Sequence, residues 1–101
     1  MVRFMKNVPK EDLQAQIRRI KRYERMMRQA NQILAMGEAP EESRTKLQLL
    51  LRKLDAYYRS DRWKRDFAAD EAGLLPADLK RGVLSEDGIY NLLEHYEPQE
   101  S

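Results

Sequence analysis

The side chains with the greatest chemical potential in this 101-residue chain lie between positions 63 and 71, in the run Trp63, Asp66, Phe67, Asp70 and Glu71. Asp66 and Asp70 are four apart, so on a helix their carboxylates share a face and could hold a hard cation between them. With Glu71 beside them they outline a metal-dependent hydrolase, the least favoured of three functional readings. Against it, acidic residues four apart are common on solvated helix faces, and the neighbouring residues follow no calcium-loop pattern. No metal site and no cofactor is expected. His95 is the one histidine. A catalytic imidazole needs an orienting carboxylate and a nucleophile. Glu94 and Glu97 are near it in sequence, but nothing marks a nucleophile, and a place at a helix C-terminus explains the residue more simply. The chain has no cysteine, which removes disulfides, thiolate metal sites and thiol nucleophiles. No phosphate-binding loop, dinucleotide fingerprint or nucleophile elbow occurs. The chain is not expected to be an enzyme.

The charges suggest binding instead. Residues 1–65 hold 17 Lys/Arg against 8 Asp/Glu, a net of +9, whereas residues 66–101 hold 2 against 9, a net of −7. A nearly neutral total therefore hides a basic front and an acidic back. Arg18, Lys21, Arg22, Arg25 and Arg28 recur at helical spacing opposite an apolar stripe. Such a row could follow a nucleic-acid phosphate backbone, gaining affinity through counterion release. The plainer alternatives are that these cations merely solvate the outer face of a helix, or that the acidic section folds back and neutralises them. No RNP-type aromatic strand and no zinc finger accompanies the row. The short helices expected after Ser60 resemble a helix-turn-helix only superficially, because the segment that would enter the groove, Ser85 to Tyr96, is acidic.

These residues must be positioned by helices. Leu13, Ile17, Ile20, Tyr23, Met27, Ala30 and Leu34 fall within about 140° of a helical wheel drawn at about 100° per residue. Leu47, Leu50, Leu51, Leu54 and Tyr58 form a second stripe, with Leu49 off it. The spacing predicts one long helix from near Pro9 to about Met36, opened by Glu11 and Asp12 and closed by Gly37. A second runs from Pro40, as its first residue, to about Arg59, with Glu41 and Glu42 in its first turn. Whether it continues through Ser60 is open. Ser60 is a candidate cap for a third helix ending at Gly73 and Leu74. Pro76 to Leu79 is expected to make a turn of helix ended by Gly82. Ser85 is expected to cap a last helix reaching about Tyr96, before Pro98. Tyr57, Tyr58, Trp63 and Phe67 place four of the eight aromatics within 11 residues, which reads as the centre of a small core.

From about Tyr23, Glu24, Arg25 and Met26 onward the chain resembles a family of small bacterial proteins known as domain of unknown function 4298. The resemblance rests on Leu54, Tyr57 and Tyr58, on Trp63 through Asp66, and above all on the run from Asp70 to Leu93, DEAGLLPADLKRGVLSEDGIYNLL. It implies a bacterial, cytoplasmic protein. It supplies no activity, and it implies a functional surface around Asp66 to Asp87 rather than on the basic row.

The expected architecture is an all-α single domain: an antiparallel hairpin of two long helices, with two or three shorter C-terminal helices packed across it. Residues 1–9 would be an arm or leader, 10–59 the basic hairpin and 60–101 the acidic section. No run of about 18 apolar residues is present, so no membrane span is expected, and the default location is the cytoplasm. The leading functional reading is a non-enzymatic module binding a protein partner or itself through Trp63, Asp66, Asp70, Lys80, Arg81 and Glu86. Nucleic-acid binding through the row on the first helix is the alternative.

Overall fold

The computed structural model describes residues 12–98, and every regular element among them is helical. Helix α1 spans Leu13–Leu34, α2 Glu41–Tyr58, α3 Asp61–Glu71 and α4 Glu86–Leu93, with a 3-10 turn at Gly82–Leu84. The expected arm over residues 1–9, and the expected opening residues Pro9 and Glu11, lie outside the described residues. Helix α1 begins later than the spacing predicts. Asp12 is extended and its carboxylate accepts the Gln14 N–H, so it caps the helix instead of lying inside it. The helix also stops short of Met36, with Ala35 as its cap. Gly37 follows at φ 78°, the left-handed conformation expected of it.

Pro40 is extended and precedes α2 as its cap, so Glu41 and not the proline is the first helical residue. The second helix does not run through Ser60. There the hydroxyl oxygen accepts the Trp63 N–H at 3.3 Å while donating to the Tyr57 carbonyl at 2.6 Å. One side chain thus ends α2 and starts α3.

Helices α1 and α2 pack on each other. Tyr57, near the end of α2, stacks on Tyr23 in the first half of α1 with ring centroids 4.0 Å apart, a pairing produced when α2 returns along α1. Ile20, Ala30, Leu51 and Leu54 are fully buried, and Ile17, Leu47 and Leu50 nearly so, while Met27 packs against this core. Leu49 is exposed, off the stripe as expected. Helix α4 adds Ile89 and Leu92 to the same core, and the 3-10 turn adds Val83 and Leu84. The 3-10 turn touches α1, α3 and α4, so it is the junction of the C-terminal pieces.

Helix α3 ends in a Schellman arrangement. The Leu74 N–H reaches back to the Ala69 carbonyl and the Gly73 N–H to that of Asp70, with Gly73 at φ 72°. Leu74, expected to make the apolar contact of this ending, stays in solvent, while the next residue, Leu75, is buried. The expected helical turn at Pro76 to Leu79 is instead a single turn closed by the Leu79 N–H on the Pro76 carbonyl. Gly82 opens a 3-10 turn and does not end a helix, contrary to expectation. Beyond Leu93 the chain continues in tight i→i−3 turns through Tyr96, and Gln48 of α2 holds it by bonding the His95 carbonyl and the Glu97 N–H.

Two glycines should respond oppositely to alanine. Gly73 requires positive φ, so Gly73→Ala is expected to lose about 1 kcal/mol. At Gly88, inside α4, an added Cβ would meet nothing closer than 3.4 Å. Gly88→Ala is therefore expected to gain about 0.5–1 kcal/mol of helix propensity. Urea melts of both variants check the pair of signs.

Candidate functional site

Asp66 is the best-connected side chain described, and it is completely buried. Its Oδ1 accepts from Gln16 Nε2 at 3.1 Å and from Arg19 Nη2 at 2.5 Å; its Oδ2 accepts from Arg19 Nε at 2.9 Å and from the Tyr57 hydroxyl at 2.5 Å. Two helices supply these partners to a carboxylate carried by a third. Gln16 and Arg19, three apart on α1, reach across to the middle of α3, and Tyr57 comes from the end of α2. A carboxylate offers about four lone-pair sites, and all are taken. Asp66 therefore has no lone pair left for a metal and no exposure for a partner. This corrects one expectation, its place on a contact surface.

Asp70 lies elsewhere, with its Oδ1 accepting from Arg81 Nη1 at 2.9 Å. Glu71 is exposed at the end of α3. Among the described residues no group of three or more Asp, Glu or His side chains is arranged to hold a metal ion.

Trp63 is also buried, which removes it from the expected contact surface. Its ring packs on Phe67 and, edge-on, on Tyr58, while its indole N–H donates to the Val83 carbonyl at 3.0 Å. The N–H of the same Val83 donates to Glu24 Oε1 at 2.9 Å. Helices α1 and α3 thus hold both backbone groups of a single buried residue in the 3-10 turn. Of the other expected contact residues, Lys80 and Glu86 are exposed, and the Tyr58 hydroxyl points its hydrogen at Glu86 from 3.5 Å.

Gln16, which bonds Asp66, and Glu24, which bonds Val83, escape notice in the sequence as buried partners, although both fall inside the apolar arc of α1, where a polar side chain signals a buried partner. Arg19 lies at the edge of that arc and gives no such signal. Tyr57 joins the core, in keeping with its aromatic neighbourhood, and its hydroxyl supplies the fourth hydrogen bond to Asp66.

The basic row is laid out as expected. Arg18, Lys21, Arg22, Arg25 and Arg28 are all exposed. Among the described residues, none of them ion-pairs with a carboxylate. The Arg22 guanidinium lies over the Tyr23 ring, 5.6 Å from its centroid. Among the described residues the acidic section makes no ion pair with the row; its Asp66 bonds Arg19 and its Asp70 bonds Arg81. Two hollows flank the row. One, of about 560 Å³, is lined by Arg18, Arg19, Lys21, Arg22, Arg25 and Arg62 together with Ala15 and Tyr23. The other, of about 350 Å³, lies between α1 and the 76–80 segment, over Ile17 and Leu79.

The family model for the domain of unknown function DUF4298 matches residues 20–99. No curated protein and no solved structure matches the chain. The match takes in Tyr57 and Asp66 and most of the basic row; Gln16, Arg18 and Arg19 precede it.

Two outcomes follow for the hub. Asp66→Ala removes the buried carboxylate that Gln16, Arg19 and Tyr57 all bond and should cost about 3–5 kcal/mol, read in urea from the fluorescence of the chain's one tryptophan. The Tyr57 phenol is pushed far above its ordinary value of 10.0, first by burial, then by its hydrogen bond to Asp66 and that carboxylate's charge, with Arg19 opposing. The folded state therefore keeps this proton after the unfolded chain has released it. The resulting stability is complete below about pH 10 and declines as pH rises further. Tyr57→Phe should flatten that alkaline decline when unfolding midpoints are compared across pH 9 to 11.

Proposed function

The chain belongs to the DUF4298 family, and we propose that this member is a binding module, not an enzyme, whose working surface is the cationic face of α1 and whose partner is a nucleic-acid phosphate backbone. The observation that supports this reading is that Arg18, Lys21, Arg22, Arg25 and Arg28 stand exposed and, among the described residues, without carboxylate partners, although the chain holds 17 Asp/Glu. A solvated face needs no such segregation; a polyanion site does. At about 1.5 Å per residue, the row covers about 15 Å of helix, enough to meet several consecutive phosphates.

Binding fits the fold better than catalysis does. Asp66 is saturated by its four hydrogen bonds, and Asp70 is engaged by Arg81. The protein-interaction reading has less support, because Trp63 and Asp66 are buried and Asp70 and Arg81 face each other. No described helix is long and apolar enough to cross a membrane.

Phosphate binding through the row requires a steep salt dependence. With five contacts, log K should fall against log salt with a slope of about −3.5 on a single strand or about −4.5 on a duplex. The double variant Arg22→Glu/Arg25→Glu should weaken binding to every sequence alike and reduce the slope to about −2 on a single strand. Fluorescence anisotropy with a labelled oligonucleotide measures both. Absence of binding at about 50 mM salt, or a slope untouched by the charge reversals, overturns the reading.

A further inference from the structure

The hollow between α1 and the 76–80 segment differs in character from the rest of the basic face beside it. Its floor is aliphatic, formed by Ile17 and Leu79, each about 8% exposed, with Pro76 at its edge. Its α1 wall carries Lys21, Glu24, Arg25 and Arg28, and its opposite lip carries Asp78 and Lys80, so four cations outnumber two carboxylates around it. The volume, about 350 Å³, falls at the small end of ligand sites, which run from about 300 to 1,000 Å³. An aliphatic floor under a mainly cationic rim suits a flat, weakly polar group covalently tied to phosphate. Duplex nucleic acid does not present one, since its bases are stacked and paired inside. A single strand does, because an unstacked base can be splayed out and packed against apolar side chains or a guanidinium plane.

We propose that this hollow is a base-binding subsite, formed by Ile17, Leu79, Pro76, Arg25 and Lys80, which makes the protein a binder of single-stranded rather than duplex nucleic acid. The inference rests on the phosphate-binding reading of the row and deepens it. Phosphates lie along Arg18 to Arg28, and the strand turns one base toward the 76–80 segment. That segment lies within the stretch on which the family resemblance is strongest, so the row and the Asp66-to-Asp87 region work as one surface. Asp78, also on the wall of the hollow, is exposed and supplies a carboxylate that can accept from an exocyclic amino group of a base.

The test uses the whole chain and four labelled or competing probes at about 50 mM salt: a 12-nucleotide single strand, the same sequence as a duplex, an abasic strand of that length, and poly-glutamate. The single strand should bind about tenfold more tightly than the abasic strand and the duplex, a difference of the size expected from docking one base, and poly-glutamate should compete poorly. Lys80→Glu, at an exposed position that leaves the core intact, should reduce single-strand affinity several-fold. It should narrow the gap between that strand and its abasic counterpart. Equal affinity for single, abasic and duplex forms overturns the base subsite while leaving the phosphate reading in place. Competition by poly-glutamate as strong as by the strand shows an acidic-peptide surface and overturns both. Failure of every nucleic acid to bind removes the phosphate reading and the subsite with it.

Discussion

A carboxylate with no access to water organises this protein. Asp66 sits where α1, α2 and α3 meet, and its two oxygens take hydrogen bonds from Gln16, Arg19 and Tyr57. A buried ion pair is not by itself a large source of stability, because removing both charges from water costs several kcal/mol. Its effect is on alternatives. Aliphatic stripes such as those of α1 and α2 tolerate sliding or rotation by a turn, with Leu meeting Leu in either register. A carboxylate needing two donors from a guanidinium and one from a phenol does not, since any other register strands a charge in the core. Apolar burial supplies the driving force for these helices to associate, and Asp66 specifies how they meet.

The 3-10 turn repeats this logic on a smaller scale. Val83 is fully buried, and its two backbone groups would be costly there unless bonded. Glu24 takes the N–H and Trp63 serves the carbonyl. The segment from Gly73 to Ser85 contains only three residues of regular structure, yet it is held against α1 and α3 by these bonds and by the buried Leu75, Leu79 and Leu84. Irregular backbone held this way can position Lys80 as reliably as a helix would.

Much of the fold is legible in the sequence because helices advertise themselves through periodicity and caps. The stripe from Leu47 to Leu54, the Ser60 cap, the Gly73 ending and the Ser85 cap depend on residues close in sequence, and each appears as expected. What stays hidden depends on residues far apart. Asp66 looks like half of an exposed acidic pair until α1 delivers Arg19 from 47 positions away. Trp63 looks available for a partner until Val83 arrives to accept its N–H. The turn at Pro76 looks helical because proline and a following Ala-Asp-Leu suit a first helical turn, but Leu79 is drawn into the core and the chain leaves the helical path. On the surface, the row from Arg18 to Arg28 is legible throughout, since an exposed helical face depends on the helix alone. That no carboxylate among the described residues pairs with it is not, because that depends on where the acidic section directs its carboxylates. Two of them point inward or to a local arginine.

If Asp66 sets the register, then Arg19 and Asp66 form one energetic unit joining α1 to α3. A double-mutant cycle of Arg19→Met and Asp66→Asn, with unfolding free energies measured in urea, tests this most directly. The two substitutions should be strongly non-additive, with a coupling of about 2 kcal/mol or more. Effects that simply add, to within about 0.5 kcal/mol, would mean that the helices find their register without this pair.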